Sequence, residues 1–208
     1  MINQEMKYPG ATRVLVWRLE EDAPQLLALC QQRDIPCEDL INKPVKRQRE
    51  MAAERLLLCE AFGRPVALSH DQQGAPHVEG ETVNISISHT PLMVALALNA
   101  DCVIGLDAEQ MDRPQVLRVR TKYLNTSEQQ FIAPDDLPAH VLAWTAKEAV
   151  IKAERNSAID WTDGIRLEPF AVDAVETLMM AHCGNRSYTL TTRPVDGHFL
   201  TLALSLSK

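Results

Sequence analysis

Paired cysteines, long apolar runs and an excess of positive charge are all missing from this 208-residue sequence. The five cysteines, Cys30, Cys37, Cys59, Cys102 and Cys183, are odd in number and irregularly spaced, and no two form a C-x-x-C pair. That argues against a zinc site or a disulfide framework and suits reduced thiols in a cytoplasmic protein. No apolar stretch approaches the roughly 20 residues needed to span a bilayer. The opening MINQEMKYPG has no basic segment followed by an apolar one, so no signal peptide is expected. The formal net charge of −7 argues against a general binder of nucleic acid or of anionic membranes. Any anionic substrate would need a local cluster of cations.

What is present is globular. Hydrophobic residues make up 46% and charged residues 24%, which excludes disorder as the default state. TRVLVWRLE alternates as a strand does, and helices are expected at Ala23–Gln32 and Val45–Phe62, with Gly63 and Pro65 ending the second. Short strands VALS, NISIS and MVALAL follow, separated by the turn DQQGAP and by Thr90-Pro91. A second series begins with the strand VIGLDAE. It continues through helices near Gln115–Tyr123, Ser127–Ile132 and Pro138–Arg155 and closes in strands FAVDAV, TLMMAHC, SYTLTTRPV and HFLTLALS. Each series reads strand, helices, then antiparallel strands. The expectation is an α+β fold of two similar halves, 1–102 and 103–208, forming a pseudo-dimer with helices on small, mainly antiparallel sheets.

Three short stretches carry chemistry. In IGLDAE, Asp107 and Glu109 share one strand face, some ~7 Å apart, where like charges repel unless solvated or bridged. A solvated edge strand and a carboxylate pair holding a divalent cation such as magnesium are both open on spacing alone. In WTAKEAVIKA, Trp144, Glu148 and Lys152 fall on one helical stripe at i, i+4, i+8, opposite an apolar face. A surface ion pair explains Glu148 and Lys152, but it leaves Trp144 without a reason. In NISISHT, Ser88 and His89 close a half-buried strand, where a hydroxyl and an imidazole suit either phosphate binding or ordinary backbone contacts. The basic run KPVKRQRE opposes the dipole of the helix it opens, which leans toward an anionic partner.

SISHT, IGLDAE and WTAKEAVIKA, in that order, resemble the 4′-phosphopantetheinyl transferase superfamily, whose pattern is S-x-S-H-[ST], G-[IV]-D-x-E and W-[ST]-x-K-E-[AS]-x-x-K. The helix RQREMAAERLLL and the turn DQQGAP extend the likeness over about two-thirds of the chain, and the length suits the two-half, surfactin-type branch. The resemblance implies Mg2+ ligands at Asp107, Glu109 and Glu148, with Glu148 also the base and Lys152 beside it in the catalytic step. It implies coenzyme A contacts from Lys43, Arg55, Ser88, His89, Lys147 and Lys152. Where the family often has Gly-Lys-Pro this chain has Gly74-Ala75-Pro76, so one phosphate-binding amine is absent. The implied reaction moves 4′-phosphopantetheine from coenzyme A to a serine of an apo acyl or peptidyl carrier protein and releases 3′,5′-ADP. A catalytically silent relative that binds carrier protein or coenzyme A is the alternative, and a magnesium-dependent diphosphate hydrolase lacks any recognised sequence box. Arg113, Arg118, Arg120 and Lys122, with apolar Val116, Val119 and Leu124, form a basic run between the carboxylate strand and the Glu148 helix. That run is the expected dock for an acidic carrier. Two halves in one chain favour a monomer.

Overall fold

The stretch MVALALN is buried at every position, which a sheet with one wet face cannot achieve. The computed structural model, which describes residues 4–206, shows what covers it. Strands β1 (Gln4–Tyr8), β2 (Thr12–Arg18), β5 (Asn84–Thr90) and β6 (Met93–Asn99) form one antiparallel sheet in the order β1-β2-β6-β5. A small hairpin, β3 (Leu68–His70) and β4 (Pro76–Val78), stands beside it. Strands β7 (Ile104–Gln110), β8 (Ile165–Leu167), β9 (Thr177–Cys183), β10 (Arg186–Val195) and β11 (His198–Ser205) form a second antiparallel sheet, ordered β7-β11-β10-β9-β8.

Three apolar layers result. One face of the first sheet (Leu15, Trp17, Val94, Leu96) packs on helices α1 (Ala23–Gln32) and α2 (Val45–Phe62). Its other face (Val14, Val16, Ala95, Ala97) packs on Ile104, Leu106, Leu200 and Leu202 of the second sheet. The third layer lies between the second sheet and helix α5 (Leu137–Glu154), which contributes Leu142, Ala146, Ala149 and Val150. The fold is thus α+β in two halves. No helix among the described residues is long and apolar enough to cross a membrane.

The two sheets also meet at an edge. Ser86 and Ser88 of β5 accept hydrogen bonds from the backbone N–H of Leu106 (2.8 Å) and Ala108 (3.1 Å). These N–H groups lie on the side of β7 that faces away from its partner β11, so hydroxyls replace the missing strand. The sequence offset is the same for both bonds, so β5 and β7 run in the same direction. Thr90, the next hydroxyl on that face, bonds His198 of β11 at 3.0 Å. The alternating hydroxyls of SISHT therefore form a seam between the halves.

Between β7 and α5 the chain is less regular than expected. The segment Gln115–Tyr123 splits into a short helix α3 (Gln115–Arg118) and a 3-10 turn (Arg120–Lys122). A further one-turn helix, α4 (Glu128–Phe131), precedes α5. FAVDAV is not a strand. Asp173 Oδ1 accepts from the N–H groups of Val175 and Glu176, folding the segment into a turn, and the strand preceding β9 is Ile165–Leu167 instead.

Candidate active site

Period two sorts β7 cleanly. Ile104, Leu106 and Ala108 enter the layer between the sheets, while Gly105, Asp107 and Glu109 lie on the opposite face of the strand, toward α5. Gly105 allows that packing: a Cβ there would stand 1.8 Å from the Ala149 carbonyl oxygen and 2.6 Å from the Ala153 nitrogen. Strand and helix backbones are in direct contact, which places Asp107 near Glu148 and Lys152 one and two turns along α5.

Asp107 is buried and bonded on one oxygen. Its Oδ1 accepts from Lys152 Nζ at 2.8 Å and from Ser88 Oγ at 3.0 Å. Lys152 Nζ also donates to the Leu106 carbonyl (2.9 Å) and to Ser88 Oγ (3.1 Å), so all three of its hydrogens are engaged within the chain. Glu109 pairs with Arg113, whose guanidinium lies 5.2 Å over the ring of Trp144. Trp144 in turn packs edge-on against Tyr123 and tilted against Trp161. The tryptophan on the polar stripe of α5 is therefore the platform for the cation that holds Glu109.

Glu148 differs from its neighbours. Among the described residues it has no hydrogen bond and no ion pair. Burial first, and then the charge of Asp107, raise its pKa above the usual glutamate value, while Lys152 and Arg113 act in the opposite direction. Among the described residues no three carboxylate, imidazole or thiol groups stand together as a formed metal cage. The donor chemistry nevertheless suits a hard divalent cation, because Asp107, Glu109 and Glu148 offer only oxygens and the unpartnered Glu148 sits in the field of Asp107.

Two clefts flank this wall and share His89. One is lined by Gly74, Ala75, Pro76, His89, Lys152 and Arg155 among others, the second by His89, Glu109 and Arg113. His89 is about one-third exposed, with Nε2 3.5 Å from Glu54.

Several residues expected to contact coenzyme A are engaged within the chain. Lys147 is fully buried and lines neither cleft: its Nζ donates to Glu128 (2.7 Å) and to the carbonyls of Trp161 (2.7 Å) and Ile165 (2.9 Å). Burial lowers its pKa and the charge of Glu128 opposes that shift. Ser88 is also buried, with its hydroxyl saturated by Asp107, Lys152 and the Ala108 N–H. Arg55 grips Asp39 with two bonds (2.7 and 2.8 Å) plus the Pro36 carbonyl, and neither it nor Lys43 lines either cleft. Lys43 acts with Arg55 to lower the pKa of Asp39. The basic run on α2 is spent internally as well, Arg49 on the carbonyls of Leu19 and Glu21, Lys46 and Arg47 on Glu50. Of the basic segment after β7, Arg113 is held by Glu109, and Val116 and Leu124 are buried in the core, while Arg118 and Lys122 are exposed. Arg155, lining the first cleft, lies outside every expected contact; its position three residues beyond Lys152 was the available signal.

Comparison with curated proteins gives no match. Comparison with protein families gives one: residues 103–193 match the 4′-phosphopantetheinyl transferase superfamily. Asp107, Glu109, Glu148 and Lys152 all fall inside that span, so the site lies within the stretch of the chain that is similar to the 4′-phosphopantetheinyl transferase superfamily.

Proposed function

We propose that this protein moves the 4′-phosphopantetheine arm of coenzyme A onto a serine of an apo carrier protein and releases 3′,5′-ADP. The observation that supports this reading best is the grouping of Asp107, Glu148 and Lys152 across the β7–α5 contact, within the stretch similar to the superfamily. Asp107, Glu109 and Glu148 would hold Mg2+, which when bound neutralises the diphosphate and makes its phosphorus easier to attack. Arg113 would give up Glu109 while keeping its stacking on Trp144.

The reaction forms an O–P bond from the carrier serine and breaks the P–O bond to the departing 3′,5′-ADP. Such chemistry asks mainly for positioning and charge stabilisation. Glu148, unpartnered and with a raised pKa, takes the serine proton either directly or through one water. Lys152 has no hydrogen to spare, so it holds Asp107 in place and faces the diphosphate only by exchanging one of its three bonds. His89, exposed where the clefts join, can donate to a phosphate oxygen. Exposed Arg118 and Lys122 would face the acidic carrier. The retained carboxylates and Lys152 speak against a silent relative.

The test is direct. The protein is incubated with coenzyme A, Mg2+ and apo carriers of fatty-acid, polyketide and peptide-synthetase type, and the carriers are weighed. One added phosphopantetheine on a serine supports the reading. No gain on any carrier, with coenzyme A left intact, removes it.

A further inference from the structure

Helix α5 ends on Arg155 in the left-handed conformation, φ +54°, where glycine is the low-cost residue. Its backbone N–H supplies the cap by bonding the Ile151 and Lys152 carbonyls, and any residue with an N–H would do that. The guanidinium turns away from the helix carbonyls. It donates to Asn84 Oδ1 at 3.3 Å and lies 3.9 Å from Asp71 Oδ2, with its side chain 40% exposed on the wall of the first cleft. Asp71 is itself occupied, its other oxygen folding the DQQGAP turn by accepting from the N–H groups of Gln73 and Ala75.

The cleft's other basic side chains are Lys152, which has spent all three hydrogens, and the imidazoles of His70 and His89, the latter 3.5 Å from Glu54. Ala75, where the resembled pattern carries a lysine, lines the same cleft, and its N–H is held by the Asp71 carboxylate that Arg155 approaches. Of the two permanently cationic groups lining the cleft, Arg155 is thus the one with unused donors, and it occupies a backbone position that disfavours any side chain.

We propose that Arg155 binds the 3′-phosphate on the ribose of coenzyme A, taking over from the lysine missing at position 75. The proposal rests on the transferase reading. The diphosphate, where the bond breaks, belongs beside Asp107 and Glu148. The ribose phosphate is the charge left for a cation farther along α5, at the Gly74–Pro76 end of the cleft.

Binding of 3′,5′-ADP and of 5′-AMP, measured by calorimetry without carrier, separates this role from a structural one. The wild-type protein should bind 3′,5′-ADP at least about tenfold more tightly, as a charge-assisted contact implies. Arg155→Gly suits the left-handed position and so preserves α5. It should weaken 3′,5′-ADP by about that factor, leave 5′-AMP unmoved, and raise KM for coenzyme A but not for dephospho-coenzyme A. Arg155→Lys should keep part of the preference. An unchanged preference in Arg155→Gly, or equal weakening of both nucleotides, overturns the assignment. If the wild type transfers from coenzyme A yet binds both nucleotides equally, the role of Arg155 falls and the transferase reading stands. Failure of either nucleotide to bind, together with no transfer, removes both.

Discussion

Lys147 and Glu148 are neighbours in the chain with opposite surroundings. Lys147 is the hub of a dry network in which Glu128 also accepts from the N–H groups of Asn125 and Leu167. Lys147→Ala leaves Glu128 as a buried charge without its partner, a defect that typically costs about 3–5 kcal/mol. Urea unfolding should show that loss, while the folded fraction keeps its KM for coenzyme A. Glu148→Gln should do the reverse. Turnover should drop by about 100-fold or more, as loss of a general base does. The unfolding midpoint should hold or rise, because a carboxylate repelled by Asp107 has gone. A variant with near wild-type turnover would return Glu148 to the status of a surface residue. The stripe Trp144–Glu148–Lys152 was legible in the sequence because a period of four survives in any helix. The burial of Lys147 was not anticipated, although Ala143, Val150 and Ile151, its neighbours three and four residues away, are all apolar. Helix geometry alone could have turned it inward.

At the scale of elements, the strongest constraint is the contact between β7 and α5. Gly105→Ala brings a methyl group against the Ala149 carbonyl, so strand and helix must part and carry Asp107 and Glu148 with them. The expected result is a loss of roughly 1–3 kcal/mol or more in thermal or urea unfolding, with the proposed transfer activity reduced beyond the fraction unfolded. A Gly105→Ala protein of normal stability and activity would show that the helix has room to move. A second element-level effect depends on acid. His140, buried in the first turns of α5, donates from Nε2 to the Ala133 carbonyl, and its Nδ1 faces the Tyr123 hydroxyl at 2.7 Å. Burial lowers its pKa, so below about pH 6.5 the unfolded chain gains this proton before the native one does. Stability from this group is complete above that pH and falls as acid is added. His140→Gln should flatten the slope of unfolding midpoint between pH 7.5 and 5.5, and an unaltered slope would count against it. Helices α1 and α2 were readable to the residue from caps and periodicity, and so was the period-two face of β7. FAVDAV failed because alternation cannot register that Asp173 ties its own backbone into a turn. β1 escaped notice because its QEMKY has only Met6 and Tyr8 to bury, against the second sheet.

The whole molecule carries −7, yet its proposed protein substrate is acidic as well. A uniform field would slow their encounter, so approach must depend on a local exception. Arg118 and Lys122, exposed between β7 and α5, supply one. Replacing both with Ser should raise KM for the carrier, most at low salt, with KM for coenzyme A unchanged, since steering acts on association rate and is screened by ions. An identical carrier dependence at every salt concentration would rule this face out. No sequence pattern could reveal how the halves are joined, since the seam depends on which side of β7 faces β5. A joint built from side-chain hydroxyls can be altered one residue at a time, which a backbone ladder cannot. Ser86 holds only the Leu106 N–H, so changing it would loosen the joint and leave the carboxylates untouched. Ser88 holds the Ala108 N–H, Asp107 and Lys152 together, so it cannot change without disturbing the site. The same motif therefore contains one position free to vary as the protein evolves and, two residues later, one that is locked.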